Sequence, residues 1–216
     1  MFAKTLQFVL RIGHQERVLV MAAKLLIFAL PFLYAYGCRD AATVEGKDIT
    51  FWQQQLRDGD LDSRLEATLA IWDFGPDGVM AVPDLVTCLK DEDAELRMNA
   101  AGALGGIGPD AKDAASALTL TLRDQDPTVR DAAAEALGKL QEASDEVVAA
   151  LAAALKDKDL DVRIRAATSL GELGPAAAPA APALREALDN RDGAVHGAMV
   201  DALQKVTPEQ LPGTPP

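Results

Sequence analysis

Aromatic residues are scarce in this chain: six Phe, two Trp and two Tyr make up 5% of its 216 residues. Alanine and leucine fill much of the second half. That mix favours closely packed helices over strands, which draw on aromatic and β-branched side chains. Cysteine is limited to Cys38 and Cys88, which excludes a disulfide scaffold. Histidine is limited to His14, in the N-terminal leader, and His196, so no pair of histidines is expected to share a metal in the mature chain. Bases are outnumbered, 21 Lys and Arg against 33 Asp and Glu, for a formal net charge of −12. The imbalance lies in the body: residues 39–216 hold 17 bases and 32 acids. A surface of that sign repels phosphate backbones and argues against general nucleic-acid binding. A glycine-rich phosphate loop is also missing, because Gly102, Gly105, Gly106 and Gly108 fall in and just after a helical stretch, where they allow close packing.

The longest uncharged apolar run is residues 25–37, LLIFALPFLYAYG. It has the length of an export-signal core and falls short of the roughly 20 residues that a bilayer-spanning helix needs. Lys24 precedes it, and Met21 would suffice as a start for a compact signal. Ala35-Tyr36-Gly37-Cys38 resembles the lipobox of bacterial lipoproteins, with Gly37 and Cys38 fitting and Ala35 and Tyr36 departing from the usual pattern. Lipidation of Cys38 is the leading reading. Cleavage after Gly37, an uncleaved anchor and a buried core helix remain open beside it. Lipidation, cleavage and an uncleaved anchor each imply export to, or attachment at, the bacterial cell envelope; a buried core helix does not.

Internal repetition dominates the rest. Asp60, Asp93, Asp126, Asp159 and Asp192 are each 33 residues apart. So are Arg64, Arg97, Arg130, Arg163 and His196, and so are Leu56, Leu89, Leu122, Leu155 and Leu188. Further columns run Ile71, Leu104, Leu137, Leu170, Leu203 and Phe74, Ile107, Leu140, Leu173, Val206. Each unit reads as two helices, A and B. In the third, the spacing predicts helix A over 114–123 and helix B over 127–140, with Val129, Ala133, Ala136, Leu137 and Leu140 inward. Pro127 suits the first turn of helix B and Asp126 its cap. Gly75-Pro76, Gly108-Pro109 and Gly174-Pro175 end three of the B helices.

The recurring D-x-D-x-x-V-R-x-x-A-x-x-A-L-G-x-L-G pattern, clearest at 155–174 and 122–140, resembles short bacterial HEAT repeats of the phycobilin-lyase-like type. The resemblance implies an all-α chain: a right-handed α-solenoid of five two-helix repeats over residues 47–207. The A helices would lie outside and the B helices would line a concave face. Residues 1–38 are then the leader, 39–46 a linker and 208–216 a proline-rich tail. No unit buries its apolar face alone, so stability comes from stacking.

The acidic turns invite a calcium reading, since DGDLDSRLEATL and DKDLDVRIRAAT begin like a calcium loop. They lack the glycine at position six and the acid at position twelve, so helix capping is preferred. Each ladder Arg lies four residues after its Asp, within reach along one helix face, and the resemblance adds pairing with an adjacent unit. The expected structural ladder is Asp60, Arg64, Asp93, Arg97, Asp126, Arg130, Asp159 and Arg163. Cys88 has no nearby base, and no catalytic constellation, metal set or cofactor site is evident. The concave face that the resemblance implies presents Leu65, Leu69, Met98, Glu135 and Ile164, with Trp72 adjoining. Apolar residues there point to a contact surface. The expectation is a monomeric, non-catalytic scaffold, envelope-attached through its N-terminus, that binds a protein partner on this face. The alternatives are a bilin-lyase-like cofactor handler, a regulatory subunit of an enzyme, and a calcium-responsive module.

Overall fold

The computed structural model describes residues 43–188 and 193–208. The leader with Cys38, the first half of the linker, Asp192 and the tail after Pro208 lie outside the described residues. The repeats belong to one unit that begins at Ala42.

Among the described residues, ten α-helices alternate as A and B helices. The A helices are α1 (Ile49–Asp58), α3 (Val82–Cys88), α5 (Ala115–Thr121), α7 (Asp145–Ala154) and α9 (Ala181–Ala187). The B helices are α2 (Leu61–Phe74), α4 (Ala94–Ile107), α6 (Pro127–Leu140), α8 (Leu160–Leu173) and α10 (Gly193–Val206). Among the described residues there is no β-strand, only an isolated bridge between Val44 and Lys47.

Every B helix from α2 to α8 starts on its aspartate. The Asp60 carboxylate accepts from Ser63 N at 2.9 Å, Asp93 from Leu96 N at 2.9 Å, Asp126 from Thr128 N at 2.8 Å and Asp159 from Asp161 N at 3.0 Å. These bonds satisfy amides that have no partner inside the helix. Helix α6 covers 127–140, the span that the periodicity predicts, and the five residues expected inward are at most 1% exposed.

Where the sequence predicts simple breaks between units, the structure has a turn of 3-10 helix at Gly75–Ala81, Gly108–Ala114 and Gly174–Ala180. Each opens on a glycine with positive φ, 55°, 75° and 61°, and the following proline starts the tighter turn. This shortens helix A of unit three to Ala115–Thr121, against the predicted 114–123. Unit four lacks the Gly-Pro pair. Gln141 takes the left-handed conformation instead, at φ 55°, and α7 comes next with no 3-10 turn.

The core is one continuous seam. Leu56, Leu89, Leu122 and Leu155 are buried on the A side, and Ile71, Leu104, Leu137 and Leu170 on the B side. Ala67, Ala100, Ala133 and Ala166 are fully buried, so adjacent B helices approach closely. The fifth unit departs from the columns: Leu188 and Leu203 are only partly buried, and Met199, Ala202 and Val206 fill the seam.

The ladder differs from the expected one. Asp60, Asp93, Asp126 and Asp159 are caps, and no ion pair joins them to the arginines of their own units. The arginines reach forward to the first aspartate of the next unit's Asp-x-Asp turn. Arg64 meets Asp91, Arg97 meets Asp124 and Arg130 meets Asp157, each at 2.7 Å at its shortest. The second and third pairs use two parallel N–H···O bonds. Capping occupies the second aspartate, so only the first is free to accept across the seam. That first aspartate also accepts from the amide two residues on, as Asp124 does from Asp126 N at 2.9 Å. The other end of each guanidinium clamps its own turn: Arg97 donates to the Asp91 and Glu92 carbonyls, and Arg130 to those of Asp124 and Gln125.

The described rungs stop at Arg130, and the next arginine differs in sequence context. Arg163 clamps the Asp157 and Lys158 carbonyls but has no carboxylate partner among the described residues, and its Nε is buried without a hydrogen bond. The position 27 residues ahead, aspartate in the earlier rungs, is Asn190. His196, in the arginine column of unit five, keeps the contact with its own unit through Nδ1 to the Leu188 carbonyl at 3.2 Å, matching Arg64 Nε to the Leu56 carbonyl.

The Arg130 side chain is 4% exposed. Arg130→Ala should therefore destabilise the fold by about 3 kcal/mol in urea titrations, because Asp157 is left without its cation. Arg57→Ala removes a pair with Asp84 in which the arginine is itself 59% exposed, and should leave the transition nearly unmoved. Burial pushes the Asp124 and Asp157 carboxyls up, but their arginines and turn amides outweigh it and hold both below the ordinary carboxylate value. Their contribution is complete above that value and lost as pH falls through and below it. The stability difference between wild type and Arg130→Ala should accordingly shrink in that acid range.

Candidate functional site

The B helices contact their neighbours more extensively than the A helices do. The stack therefore closes toward the B side and opens a groove of about 540 Å³ across α2, α4, α6 and α8. Its two halves have different chemistry.

The first half is apolar. Trp72 of α2 is 42% exposed and lies against α4. A Cβ added to Gly102 would fall 2.6 Å from the indole Cζ3, and one added to Gly106 would fall 2.7 Å from Cδ1. The two glycines, one turn apart, form the seat of the ring, and any other residue there would collide with it. Gly105 serves a different contact: its added Cβ would meet the Ala136 Cα of α6 at 3.1 Å, so it sets the spacing of two B helices. Met98 lines the same end of the groove.

The second half is charged. Arg165 of α8 reaches back to α6, with Nε 3.1 Å from Asp131 Oδ1 and a terminal nitrogen 3.4 Å from Glu135 Oε2. Lys139 pairs with Glu135 along α6. Ile164 and Thr168 of α8 line the far wall. Burial pushes the Asp131 carboxyl above its ordinary value, although Arg165 opposes this. Glu135 is also burdened by burial, but Lys139 and Arg165 together take it below its ordinary value.

The residues expected on the concave face divide accordingly. Trp72, Met98, Glu135 and Ile164 line the groove. Leu69 stands 51% exposed on α2, outside the lining. Leu65 does not present itself freely: it is partly buried and packs against the core. The sequence reading passed over Arg165. Its column reads Glu66, Asn99, Ala132, Arg165 and Ala198, one residue beyond the column taken as concave, and a long side chain covers the difference.

Other candidate chemistry is accounted for structurally. Cys88 is buried with Arg64 4.0 Å away, and burial pushes its thiol up. Among the described residues, no three His, Cys, Asp or Glu side chains gather closely enough to hold a metal ion. No described helix is long and apolar enough to cross a membrane.

A sequence model of HEAT repeats matches residues 49–138 and again 115–204. The chain belongs to the HEAT-repeat family. Solved structures agree on the fold. A complex of CpcE and CpcF of phycocyanin lyase from a Nostoc species is similar with a TM-score of 0.63 and 25% identity, over 81% of this chain and 69% of that one. An engineered protein is similar with a TM-score of 0.60 and 24% identity, over 76% and 80%. An archaeal HEAT-like repeats protein from Thermococcus onnurineus gives 0.54 and 19%, over 77% and 73%. Comparison with curated proteins gives no match.

In this HEAT-repeat protein the two tryptophans report on different places, because Trp52 is 1% exposed and Trp72 faces the groove. Gly102→Ala should gain helix propensity, about 1 kcal/mol, yet push the Trp72 ring off its seat. The expected result is red-shifted emission and stronger acrylamide quenching at unchanged far-ultraviolet circular dichroism. Trp72→Phe should leave only the blue, poorly quenched emission of Trp52.

Proposed function

We propose that this HEAT-repeat protein is a non-catalytic interaction scaffold of the bacterial cell envelope that holds a protein partner in the groove across its B helices. The carrying observation is Trp72, an aromatic ring kept partly exposed on a seat of two glycines. Aromatic side chains held at a concave surface, with water only partly excluded, are the usual anchors of protein contacts. Leu69 and Met98 extend the apolar area beside it.

The envelope part of the proposal rests on the sequence: the apolar run 25–37 and Cys38, read as a lipidated residue. Val44 to Lys47 close a turn, so a linker extended from Arg39 to Thr43 spans about 17 Å at most, at ~3.4 Å per residue. It would keep the solenoid close to the membrane as a monomer.

A second reading has one observation in its favour, the 25% identity to a complex of phycocyanin lyase subunits. On that reading the same groove takes a cofactor, or the protein regulates an enzyme.

In-cell crosslinking of the tagged full-length chain, followed by purification from membranes, separates the two. The scaffold reading expects one protein to crosslink to wild type and to be lost with Trp72→Ser combined with Leu69→Ser and Met98→Ser. A coloured or ultraviolet-absorbing compound copurifying in equimolar amount, with no crosslinked protein, would replace it by the second reading. Cys38→Ser should move the chain out of the membrane fraction; retention in that fraction would remove lipidation as the anchor.

A further inference from the structure

We infer that the segment held in this groove is an extended cationic one, which sets an aliphatic or aromatic side chain on Trp72 and Met98 and carries Lys or Arg across to Asp131, Glu135 and Glu172. The inference rests on the scaffold reading above and names the chemistry of the partner.

The apolar half of the groove asks for a side chain that removes Trp72 and Met98 from water. The charged half excludes most other occupants. Four carboxylates line the groove, Asp131, Glu135, Asp159 and Asp161, against Lys139 and Arg165. Both cations are already engaged, Arg165 with Asp131 and Glu135, and Lys139 with Glu135. Asp161 and Glu172 on α8 have no ion-pair partner among the described residues. Glu172 nonetheless leans toward α6, since a Cβ at Gly138 would meet its Oε2 at 2.5 Å. The site is thus short of positive charge where an occupant would exclude water. Asp131, held above its ordinary value by burial in spite of Arg165, reports the same shortage.

An anionic segment would add like charge at this end and leave the carboxylates desolvated. A wholly apolar ligand would bury Asp131 and Glu135 more deeply without offering a partner. A cationic side chain removes both costs. The acid excess of residues 39–216, 32 against 17 bases, attracts such a segment from a distance.

Geometry fixes the spacing. The Gly102–Gly106 seat of the ring on α4 is one helix spacing from Asp131 and Glu135 on α6 and two from Glu172 on α8, about 9–20 Å. An extended chain at about 3.3 Å per residue crosses that distance in about three to six residues.

The test is selection of random 12-residue peptides displayed on phage against the full chain in non-ionic detergent, followed by titration of the winning synthetic peptide, labelled with fluorescein, by fluorescence anisotropy. The expected winners carry one Leu, Ile, Phe or Trp with Lys or Arg about three to six residues away. Their affinity should fall at least tenfold with Trp72→Ala, and at least tenfold with Asp131→Asn, Glu135→Gln and Glu172→Gln combined. It should also fall between 0.05 and 0.5 M salt. A control variant removes the same charge outside the groove, by Asp110→Asn, Asp113→Asn and Glu142→Gln, and should bind as wild type does. Circular dichroism confirms that each variant is folded. Winners that need Trp72 but are neutral or acidic, or that lose affinity equally with both triple variants, overturn the cationic assignment and leave the scaffold reading standing. Failure to recover any peptide that depends on Trp72, together with no crosslinked protein in cells, overturns both.

Discussion

The arginine that crosses from one repeat to the next is the interaction on which the architecture turns. Each guanidinium is held twice, by the carbonyls of its own A–B turn and by the first aspartate of the next. A planar group fixed at both ends leaves little freedom in the angle between successive repeats. Apolar burial brings the B helices together, and the arginines fix how they sit. Pairs of this kind contribute register more dependably than net stability. The groove, shared by four successive B helices, exists only if each step between repeats is the same.

Division of labour within the Asp-x-Asp turn is the result. One carboxylate caps its own helix and the other receives the neighbour's arginine, so two residues separated by one serve local and long-range order at once. The alanine columns and Gly105 then permit close approach of the B helices. The residues left over on the B helices are free to vary: Trp72 on its glycine seat at one end, Asp131, Glu135 and Arg165 at the other. Uniform construction carries a non-uniform surface.

Much of this was legible in the amino-acid order. The 33-residue period, the extent of α6 and the inward columns all come from spacing, because burial is periodic when the units are. The acidic turns were legible as caps. Pairing between units was implied by the resemblance, but not that the first aspartate of each turn takes it, since Asp60 and Arg64 also satisfy the spacing of a pair within one helix. Only the packed structure shows that the cap is already occupied. The 3-10 turns escaped because Gly-Pro marks where an α-helix stops without specifying the geometry of the next turn. Gly102 and Gly106 read as close-packing residues, but the ring they admit comes from another repeat and leaves no local trace. Arg165 was missed because a column defined by Cβ direction does not describe a side chain long enough to lean into the next column.

The rivets between repeats have a consequence for how the molecule comes apart. Three junctions are closed by charge, Arg64 to Asp91, Arg97 to Asp124 and Arg130 to Asp157. A solenoid has no long-range contacts to share the load, so each junction opens on its own terms. Water reaches the first rivet most easily, with Arg64 24% exposed, and the third least, with Arg130 4% exposed. Loosening would then start at the first repeat, whose amide hydrogens would exchange ahead of those in α6 and α8, while the charged end of the groove stays closed.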